Sequence, residues 1–385
     1  MRKGRSHLKQ TRIGLIMNKY SPQHRAILRG LIAYASGRNW EFHAVTNVSQ
    51  IEILLQWRPA GIIADLTSEL AAALKPHGLP TLNVSATYSA DGVPLLRADD
   101  TAAGEMAAGH FLQRGLRTLA FFGNPTLNPS VEHWAGYSRA AGRAGAVAIC
   151  IDTARLPPVS DLRTRDVLIA EWITELPKPV GLLVGDDDLG MWISQLCRQA
   201  GCHVPTEVAL LGINDDTLNC ELANPHLSSV AIPRERIGYL CGEMLGRMMH
   251  GRRKVPPVTL IPPGAVTERA SSDMLATDDP DFVAAVRYIR EHADEPISVW
   301  DVVKSTAASR RGLEQKFQRI LGKSPLRQIR LAHLEQAKQL LASTSLPLKT
   351  VAERSGFIRP QHLCGVFRRE MKMTPSAYRR RLEKR

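Results

Sequence analysis

The hydrophobic pattern of this 385-residue chain changes once, near residue 270, and this change predicts two kinds of structure. Between Arg12 and Arg269, short apolar runs alternate with longer amphipathic stretches, which is typical of β-α-β units and of parallel sheets buried on both faces. The predicted strands are 13–17 (IGLIM), 61–65 (GIIAD), 80–84 (PTLNV), 118–123 (TLAFFG), 180–185 (VGLLVG) and 208–213 (VALLGI). The predicted helices between them are 24–36, 101–114, 131–144 and 189–200.

About 260 residues of this alternation is long for one doubly wound sheet and fits two similar lobes. Ligands of open α/β sheets bind beyond the carboxyl ends of the strands. Polar residues that directly follow a predicted strand are therefore candidate ligand contacts. They are Asn18, Asp65, Asp186–Asp188 and Asn214-Asp215.

The strand pattern stops after two proline pairs and a polar segment, and the rest of the chain is predicted to be all α. The helices predicted there are 282–292, 299–304, 310–321, 326–341, 348–355 and 361–371. The predicted organisation is a basic amino-terminal tail (1–11), a two-lobed α/β domain (12–272), a linker (273–280) and a helical domain (281–385).

The helical region contains an internal repeat. Leu313 and Phe317 are followed by Ser-Pro, and fifty residues later Leu363 and Phe367 are followed by Thr-Pro. The residues upstream match at an offset of 49, so the second copy has one extra residue in its turn. A short helix, a tight turn and a longer helix with apolar positions four apart predict a helix-turn-helix unit, present twice.

The basic charge of the chain is concentrated in this repeat. Residues 304–385 hold 20 basic and 5 acidic residues, whereas the other positions hold 30 basic and 32 acidic residues. This distribution indicates a polyanionic partner, most simply double-stranded DNA, although a solvated basic face is the alternative. Residues early in the second helix of each unit are expected to meet base edges in the major groove. The predicted DNA-facing residues are Arg310, Arg311, Glu314, Gln315 and Gln318 in the first unit and Arg359, Gln361, His362 and Gly365 in the second, where Gly365 offers nothing to a base edge. The predicted phosphate contacts are Lys316, Arg319, Arg368, Arg369 and Arg379–Arg381.

Several other classes of protein are not expected. No apolar run reaches the eighteen residues of a membrane span, and the apolar stretch after the basic amino terminus is too short for a signal peptide, so a cytoplasmic location is predicted. The six cysteines form no CxxC pair, which predicts reduced thiols and no metal or cofactor. Walker, GxGxxG and GxSxG motifs are missing, so an enzyme is not expected. A metal-dependent enzyme built on Asp186–Asp188 is the remote alternative.

The carboxy-terminal hundred residues resemble the AraC/XylS family of transcription regulators. The matching residues are Ser309, Leu313, Phe317, Gly322, Ser324-Pro325, Ala337, Leu340-Leu341, Val351-Ala352, Gly356-Phe357, Phe367, Thr374-Pro375 and Tyr378-Arg379. Two positions depart from the family pattern, since Lys372 replaces a usual glycine and Leu363 stands where phenylalanine is common.

The preceding 260 residues resemble the periplasmic-binding-protein-like sensor of LacI-type repressors. The matching residues are Asp99-Asp100, Gly104, His110, Gly115, Val204-Pro205, Val208, Gly212–Asp215, Leu227–Val230, Glu268-Arg269 and Ser271. A sensor of this type followed by an AraC-type domain is similar to the xylose-operon regulators from end to end.

This resemblance implies a regulator that responds to a sugar such as xylose or a related monosaccharide and activates a carbohydrate-utilisation operon. The implied partners are an operator DNA, the sugar, a second copy of the chain and RNA polymerase. The candidate ligand contacts are Tyr20, Asp99, His133, Asp186, Asp187 and Asn214, with Tyr88 and Trp134 as further stacking candidates. At least one residue of the aspartate triplet is expected to cap the helix at Leu189 instead. The alternative is a ligand-blind regulator whose sensor domain serves only for dimerisation.

Overall fold

The structure is a computed structural model, and it describes residues 10–124, 127–151, 153, 156–157, 161–251, 255–274, 277, 279–344 and 346–383. Most of the predicted basic tail and part of the predicted linker lie outside these residues. The strands are β1 (Thr11–Ile16), β2 (Trp40–Val45), β3 (Gly61–Ala64), β4 (Thr81–Asn83), β5 (Leu95–Ala98), β6 (Thr118–Phe122), β7 (Val147–Cys150), β8 (Val180–Val184), β9 (Val208–Asn214), β10 (Ser228–Ala231), β11 (Val258–Ile261) and β12 (Val266–Thr267).

The helices of the α/β region are α1 (Pro22–Ala35), α2 (Ile51–Gln56), α3 (Ser68–Leu74), α4 (Asp100–Leu112), α5 (Asn128–Arg143), α6 (Leu162–Glu175), α7 (Asp187–Gln199), α8 (Thr217–Leu222) and α9 (Arg234–Met249). The helical domain contains α10 (Pro280–Glu291), α11 (Val299–Lys304), α12 (Arg310–Leu321), α13 (Pro325–Ser343), α14 (Leu348–Glu353), α15 (Pro360–Met371) and α16 (Pro375–Glu383).

Two six-stranded sheets form the two lobes, as predicted. The first has the order β11-β5-β4-β3-β1-β2 and the second has the order β12-β10-β9-β8-β6-β7. The described pairings are parallel except that between β10 and β12. Every residue of β8 is buried, which explains why the central strands have continuous apolar sequences.

The six predicted strands are confirmed, and the sequence did not predict β2, β5, β7, β10, β11 and β12, of which β10 begins with two serines. In β10, Ser228 and Ser229 are completely buried. Their hydroxyls donate hydrogen bonds to the carbonyl of Arg269 and to the carboxylate of Asp187. Because these bonds satisfy the buried hydroxyls, a polar sequence occupies an interior strand.

The chain crosses between the lobes three times, after β5, after β10 and after β11. The crossovers begin side by side, since the Asp99 amide donates to the carbonyl of Ile261, the last residue of β11, at 2.8 Å, and the Gly264 amide donates to the carbonyl of Ala231, the last residue of β10, at 2.8 Å. These three segments therefore form one hinge between the lobes.

The helical domain contains the two predicted helix-turn-helix units, α11-α12 and α14-α15, joined by the long helix α13. The turn of the second unit, 354–359, is one residue longer than the turn of the first, 305–309, as the repeat predicted. Each unit has its own hydrophobic core, the first around Leu313 and Phe317 and the second around Leu363 and Phe367.

Lys372 ends α15 in the left-handed conformation, with φ 55°, and Gly322 ends α12 in the same way, with φ 64°. The second unit thus ends its helix in the same left-handed conformation as the first, but with a lysine in place of the glycine. A residue with a Cβ carries a steric cost there, so we expect Lys372→Gly to stabilise the protein by up to ~1 kcal/mol. Thermal unfolding should show a higher midpoint for Lys372→Gly and a lower one for the matched variant Gly322→Lys. An unchanged midpoint in both variants would contradict this account.

Candidate functional site

A cleft of about 810 Å³ lies between the lobes. Its walls are the first turns of α1, the residues that follow β8 and β9, and the crossover from β10 to α9. The cleft is therefore at the carboxyl ends of parallel strands, where the sequence predicted a ligand site. Asp186, Asp187 and Asn214 line it, as do Arg234 and Gln23.

Arg234 lines this cleft and has a side-chain donor that the described residues do not use. One terminal nitrogen, Nη2, donates to the Asn214 side-chain oxygen at 2.9 Å. The Nε atom is buried and has no hydrogen-bond partner within the described part of the chain. Burial lowers the pKa of Arg234, and the nearby Asp100 opposes this shift. A buried cationic donor without a partner is costly, and an oxygen of a bound ligand would satisfy it.

The backbone beside Arg234 is strained. Asn214 and Asp215 have φ angles of 112° and 54°, in the left-handed region that favours glycine. The fold holds Asp215 there, because its carboxylate accepts from Thr267 Oγ1 at 2.6 Å and from Arg269 Nη1 at 2.9 Å. A strained backbone conformation persists where surrounding contacts fix it. Here the strained conformation places the Asn214 side-chain oxygen within hydrogen-bond distance of Arg234.

The three consecutive aspartates have different environments. Asp186 caps α7 by accepting from the Leu189 amide at 2.8 Å, which confirms that one of the three is a helix cap. Asp187 is buried and accepts from Ser229 Oγ at 2.5 Å and from the Asp216 amide at 2.7 Å. Burial raises the pKa of Asp187 to about 7. Both carboxylate oxygens of Asp187 thus form hydrogen bonds within the protein. This differs from the expectation that Asp187 is a ligand contact.

The remaining member of the triplet, Asp188, is exposed. No group of three or more His, Cys, Asp or Glu side chains is placed to hold a metal ion in the part of the chain that the structure describes. The alternative of a metal enzyme built on this triplet therefore has no structural support.

Three of the predicted ligand contacts do not line the cleft. Tyr20 is 74% exposed in the turn before α1. Asp99 caps α4 by accepting from the Ala102 amide at 3.0 Å, and its side chain faces a different cavity. His133 is buried with its Nε2 atom 3.2 Å from an Asp100 oxygen, where it joins α5 to the start of α4.

The predicted stacking residues also lie elsewhere. Trp134 stacks on Phe121 in the core, with ring centroids 5.9 Å apart. Tyr88 packs against the hydrophobic cluster of the first lobe. None of the described side chains that line the cleft is aromatic.

Sequence reasoning missed Arg234, although a usable signal exists. Asn214 is the last residue of β9, and Arg234 lies shortly after the end of β10. The rule that ligands bind at the carboxyl ends of strands therefore applies to both residues. The sequence does not predict β10 as a strand, because two serines interrupt its apolar pattern.

The first recognition helix, α12, presents the predicted residues to solvent. Ser309 caps it by accepting from the Gly312 amide at 3.2 Å. Arg311 and Gln315 are exposed, whereas Arg310 pairs with Glu314 at 3.1 Å. The Arg310 guanidinium also lies 5.5 Å from the ring centroid of Trp300, which orients it.

The second recognition helix, α15, is exposed at Arg359, Gln361 and His362. A Cβ added at Gly365 would meet no atom within 4 Å, so this face is open but carries no side chain at its centre. Arg368, one turn later, is exposed.

Three of the residues predicted to contact phosphates are paired with carboxylates or partly buried in the structure. Lys316 lies 2.7 Å from Asp279 and 2.6 Å from Asp281, and Arg319 lies 3.6 Å from Asp279. These pairs join α12 to the start of α10 and partly neutralise the two cations. In Arg379, the Nε and Nη2 atoms are buried without a hydrogen-bond partner among the described residues. Arg368 therefore remains the better candidate for a phosphate contact.

Comparisons with known proteins agree with both halves of the structure. A family described as "Periplasmic binding protein-like domain" matches residues 108–272, and one described as "Helix-turn-helix domain" matches residues 302–381. The chain is 29% identical to the xylose operon regulatory protein of Escherichia coli (strain K12), over 96% of this chain and 97% of that protein. It is 28% identical to the protein of the same name from Haemophilus influenzae, over 96% and 98% of the two chains.

A solved structure of the xylose-binding transcription activator xylR superimposes with a TM-score of 0.62 at 26% identity, and the match covers 97% of this chain and 98% of that one. The chain is a DNA-binding transcription regulator. Its relatives over the whole length are regulators rather than enzymes. A LacI family regulator from Enterococcus faecium, 19% identical with a TM-score of 0.56 over 70% of this chain and 100% of that one, shares the sensor fold. None of the regulator's described helices is long and apolar enough to span a membrane.

Proposed function

We propose that the regulator is cytoplasmic, binds a neutral monosaccharide such as xylose in the cleft between its lobes, and activates a carbohydrate-utilisation operon as a homodimer that contacts RNA polymerase. The observation that carries the sugar proposal is that Arg234 lines a cleft of suitable size and that its Nε has no hydrogen-bond partner among the residues that the structure describes. The names of the full-length relatives, which are xylose operon regulators, support it.

The lining chemistry favours a ligand with several hydroxyl groups. Arg234 offers a donor, the Gln23 side chain can donate and accept, and the Asp186 carboxylate accepts. Such a mixture suits hydroxyls, each of which can both donate and accept. An anionic ligand is disfavoured, because four carboxylates line the cleft besides Asp186 and Asp187: Asp188, Asp215, Asp216 and Glu235.

Isothermal titration of the full chain with xylose, ribose, arabinose, glucose and the anion xylonate tests this proposal. We expect at least one neutral sugar to bind and xylonate not to bind. If no sugar binds, the sensor is ligand-blind and the alternative of a pure dimerisation module is favoured. If xylonate alone binds, the ligand is an acid and the charge argument is wrong.

For the DNA-binding domain, we propose that Arg311 reads a base edge and that Arg368 contacts a phosphate. Arg311→Ala should then weaken binding to the selected operator by ~1–3 kcal/mol and relax preference at one base pair. Arg368→Ala should weaken specific and random DNA by the same factor and reduce the salt dependence, whose log–log slope is about −0.9 per phosphate neutralised. Fluorescence anisotropy with both kinds of duplex at several salt concentrations measures these effects. The same loss of specificity in both variants would refute the assignment.

A further inference from the structure

We propose that helix α4 of the sensor domain is the docking surface for the chain's own DNA-binding domain, and that it couples closure of the lobes to the position of the first recognition helix, α12. The coupling role rests on the proposed function, because it needs a ligand that closes the lobes. The docking itself does not depend on the identity of that ligand.

The amino-terminal end of α4 belongs to the hinge. Asp99 caps α4 through the Ala102 amide, and the Asp99 amide donates to the carbonyl of Ile261, the last residue of β11. This bond lies directly before the chain crosses to the second lobe, so a change in the angle between the lobes must change the backbone that follows it. The start of α4 is therefore displaced when the hinge moves.

The outer face of α4 lies opposite the second helix-turn-helix unit. A cavity of about 560 Å³ lies between them. Met106 of α4, Gln113 directly after it and Pro262 of the hinge line one wall. The other wall is formed by α13 and by the segment from α15 to α16, including Lys338 and Tyr378. The two domains thus share a surface that includes a hinge segment.

The carboxy-terminal end of α4 leads into a turn that touches α12. A Cβ added at Gly115, which has φ 83°, would lie 3.1 Å from the Ile320 side chain, so the two backbones approach closely. Arg117 Nη2 donates to the Ile320 carbonyl at 3.5 Å. Ile320 is in the last turn of α12, where the helix dipole is negative, so a cation is favourable there.

A third contact joins the start of the helical domain to the sensor. Arg290 of α10 lies 3.8 Å from Asp273. It is also close to Glu268, whose pKa is lowered mainly by Arg114 and Arg290 together, against the effect of burial. Arg114, which follows α4 directly, lies 2.6 Å from the Glu268 carboxylate. The docked domain is thus held near the carboxy-terminal end of α4 by two sets of contacts.

The docked position leaves the DNA-reading residues free. Arg311 and Gln315 of α12 are exposed, as are Gln361 and His362 of α15. Docking therefore does not block DNA binding, and its effect is to set the placement of the recognition helices relative to the sensor. A displacement of α4 by the hinge changes that placement, and linkage requires DNA to affect sugar affinity by the same factor.

The test uses the full chain with Arg117→Glu, which places a negative charge against the negative end of α12. The matched control is Arg198→Glu, which makes the same charge change at the exposed end of another sensor helix, α7. The first measurement is hydrogen exchange without sugar. We expect faster exchange in the last turn of α12 for Arg117→Glu and no change there for the control. Unchanged exchange in both variants would overturn the docking.

The second measurement is the affinity for a duplex selected in vitro by the wild-type chain, with and without xylose. Sugar should change the wild-type Kd by at least fivefold, within the usual range of allosteric coupling. In Arg117→Glu that factor should fall to near one, while the Kd for xylose alone changes less than twofold. Faster exchange with full coupling would refute the role of α4 in signalling. If xylose fails to bind the wild-type chain, the proposed sugar function fails, and the exchange result still decides the docking.

Discussion

Replacing Arg234 with methionine is expected to abolish the sugar response while the regulator stays folded and still binds DNA. Methionine fills similar space but supplies neither the free Nε donor nor the hydrogen bond to Asn214. A hydrogen bond to a charged group contributes about 1.5–3 kcal/mol, so sugar affinity should fall by roughly 10- to 150-fold. The free energy of unfolding should change little, because the substitution also removes the cost of burying a cation. Isothermal titration and thermal unfolding measure the two quantities.

Arg29→Met is the matched control for this prediction, since Arg29 also lines the cleft but is exposed and pairs with Glu235 at 2.7 Å. Its sugar affinity should stay within threefold of the wild type. At Asn214 the informative variant is Asn214→Gly, because the φ of 112° would strain alanine. If Arg234→Met unfolds at a much lower temperature but keeps its sugar affinity, Arg234 belongs to the fold and the ligand assignment is wrong.

Replacing Asp187 with alanine is expected to destabilise the regulator by about 3 kcal/mol. Asp187 joins β10 to the start of α8, and its loss leaves the Ser229 hydroxyl and the Asp216 amide unpaired in the interior. Each unpaired buried group costs about 1–3 kcal/mol. Thermal or urea unfolding measures the loss, and Asp188→Ala at the exposed neighbouring position should have little effect.

Asp187 should also give the regulator a specific pH dependence. Its pKa is raised from 3.8 to about 7, mainly by burial, so the folded state binds this proton more tightly than the unfolded state does. The stabilisation from this proton is complete below about pH 4 and is lost as the pH rises toward 7. In Asp187→Asn, the decrease in unfolding free energy between pH 4.5 and 7.5 should be smaller than in the wild type. An identical pH dependence in both proteins would show that Asp187 keeps an ordinary pKa.

Much of the architecture could be predicted from the sequence, because it depends on local pattern. The apolar runs of the central strands identify a parallel sheet, since strands covered on both faces cannot contain exposed positions. The repeat of Leu313 and Phe317 at Leu363 and Phe367 identifies two helix-turn-helix units, since each copy builds its own core. The edge strands and the interior strands β5 and β10 were not predicted, and the burial of the two serines of β10 depends on partners distant in sequence.

The candidate site could be predicted only in part. The rule that ligands bind at strand ends located Asn214 and the aspartate triplet, and this rule needs only the order of strands and helices. The rule does not determine which way a side chain points. Neighbouring residues in the first turn of a helix face different directions, so Asp186 caps α7 while Asp187 turns to Ser229, 42 positions away.

The sequence by itself determined the two-domain order, the repeat and the concentration of basic charge, because each is a property of residues close together in the chain. Only the tertiary structure decided which charges are available to a partner. Lys316 and Arg319 look like phosphate contacts in the sequence, but the start of α10 brings Asp279 to both. Arg234 looks like a surface charge, but the hinge places it in a cleft, with one nitrogen unpaired within the described part of the chain. The physical reason is that ion pairing and desolvation depend on distances across the fold, which a linear pattern does not contain.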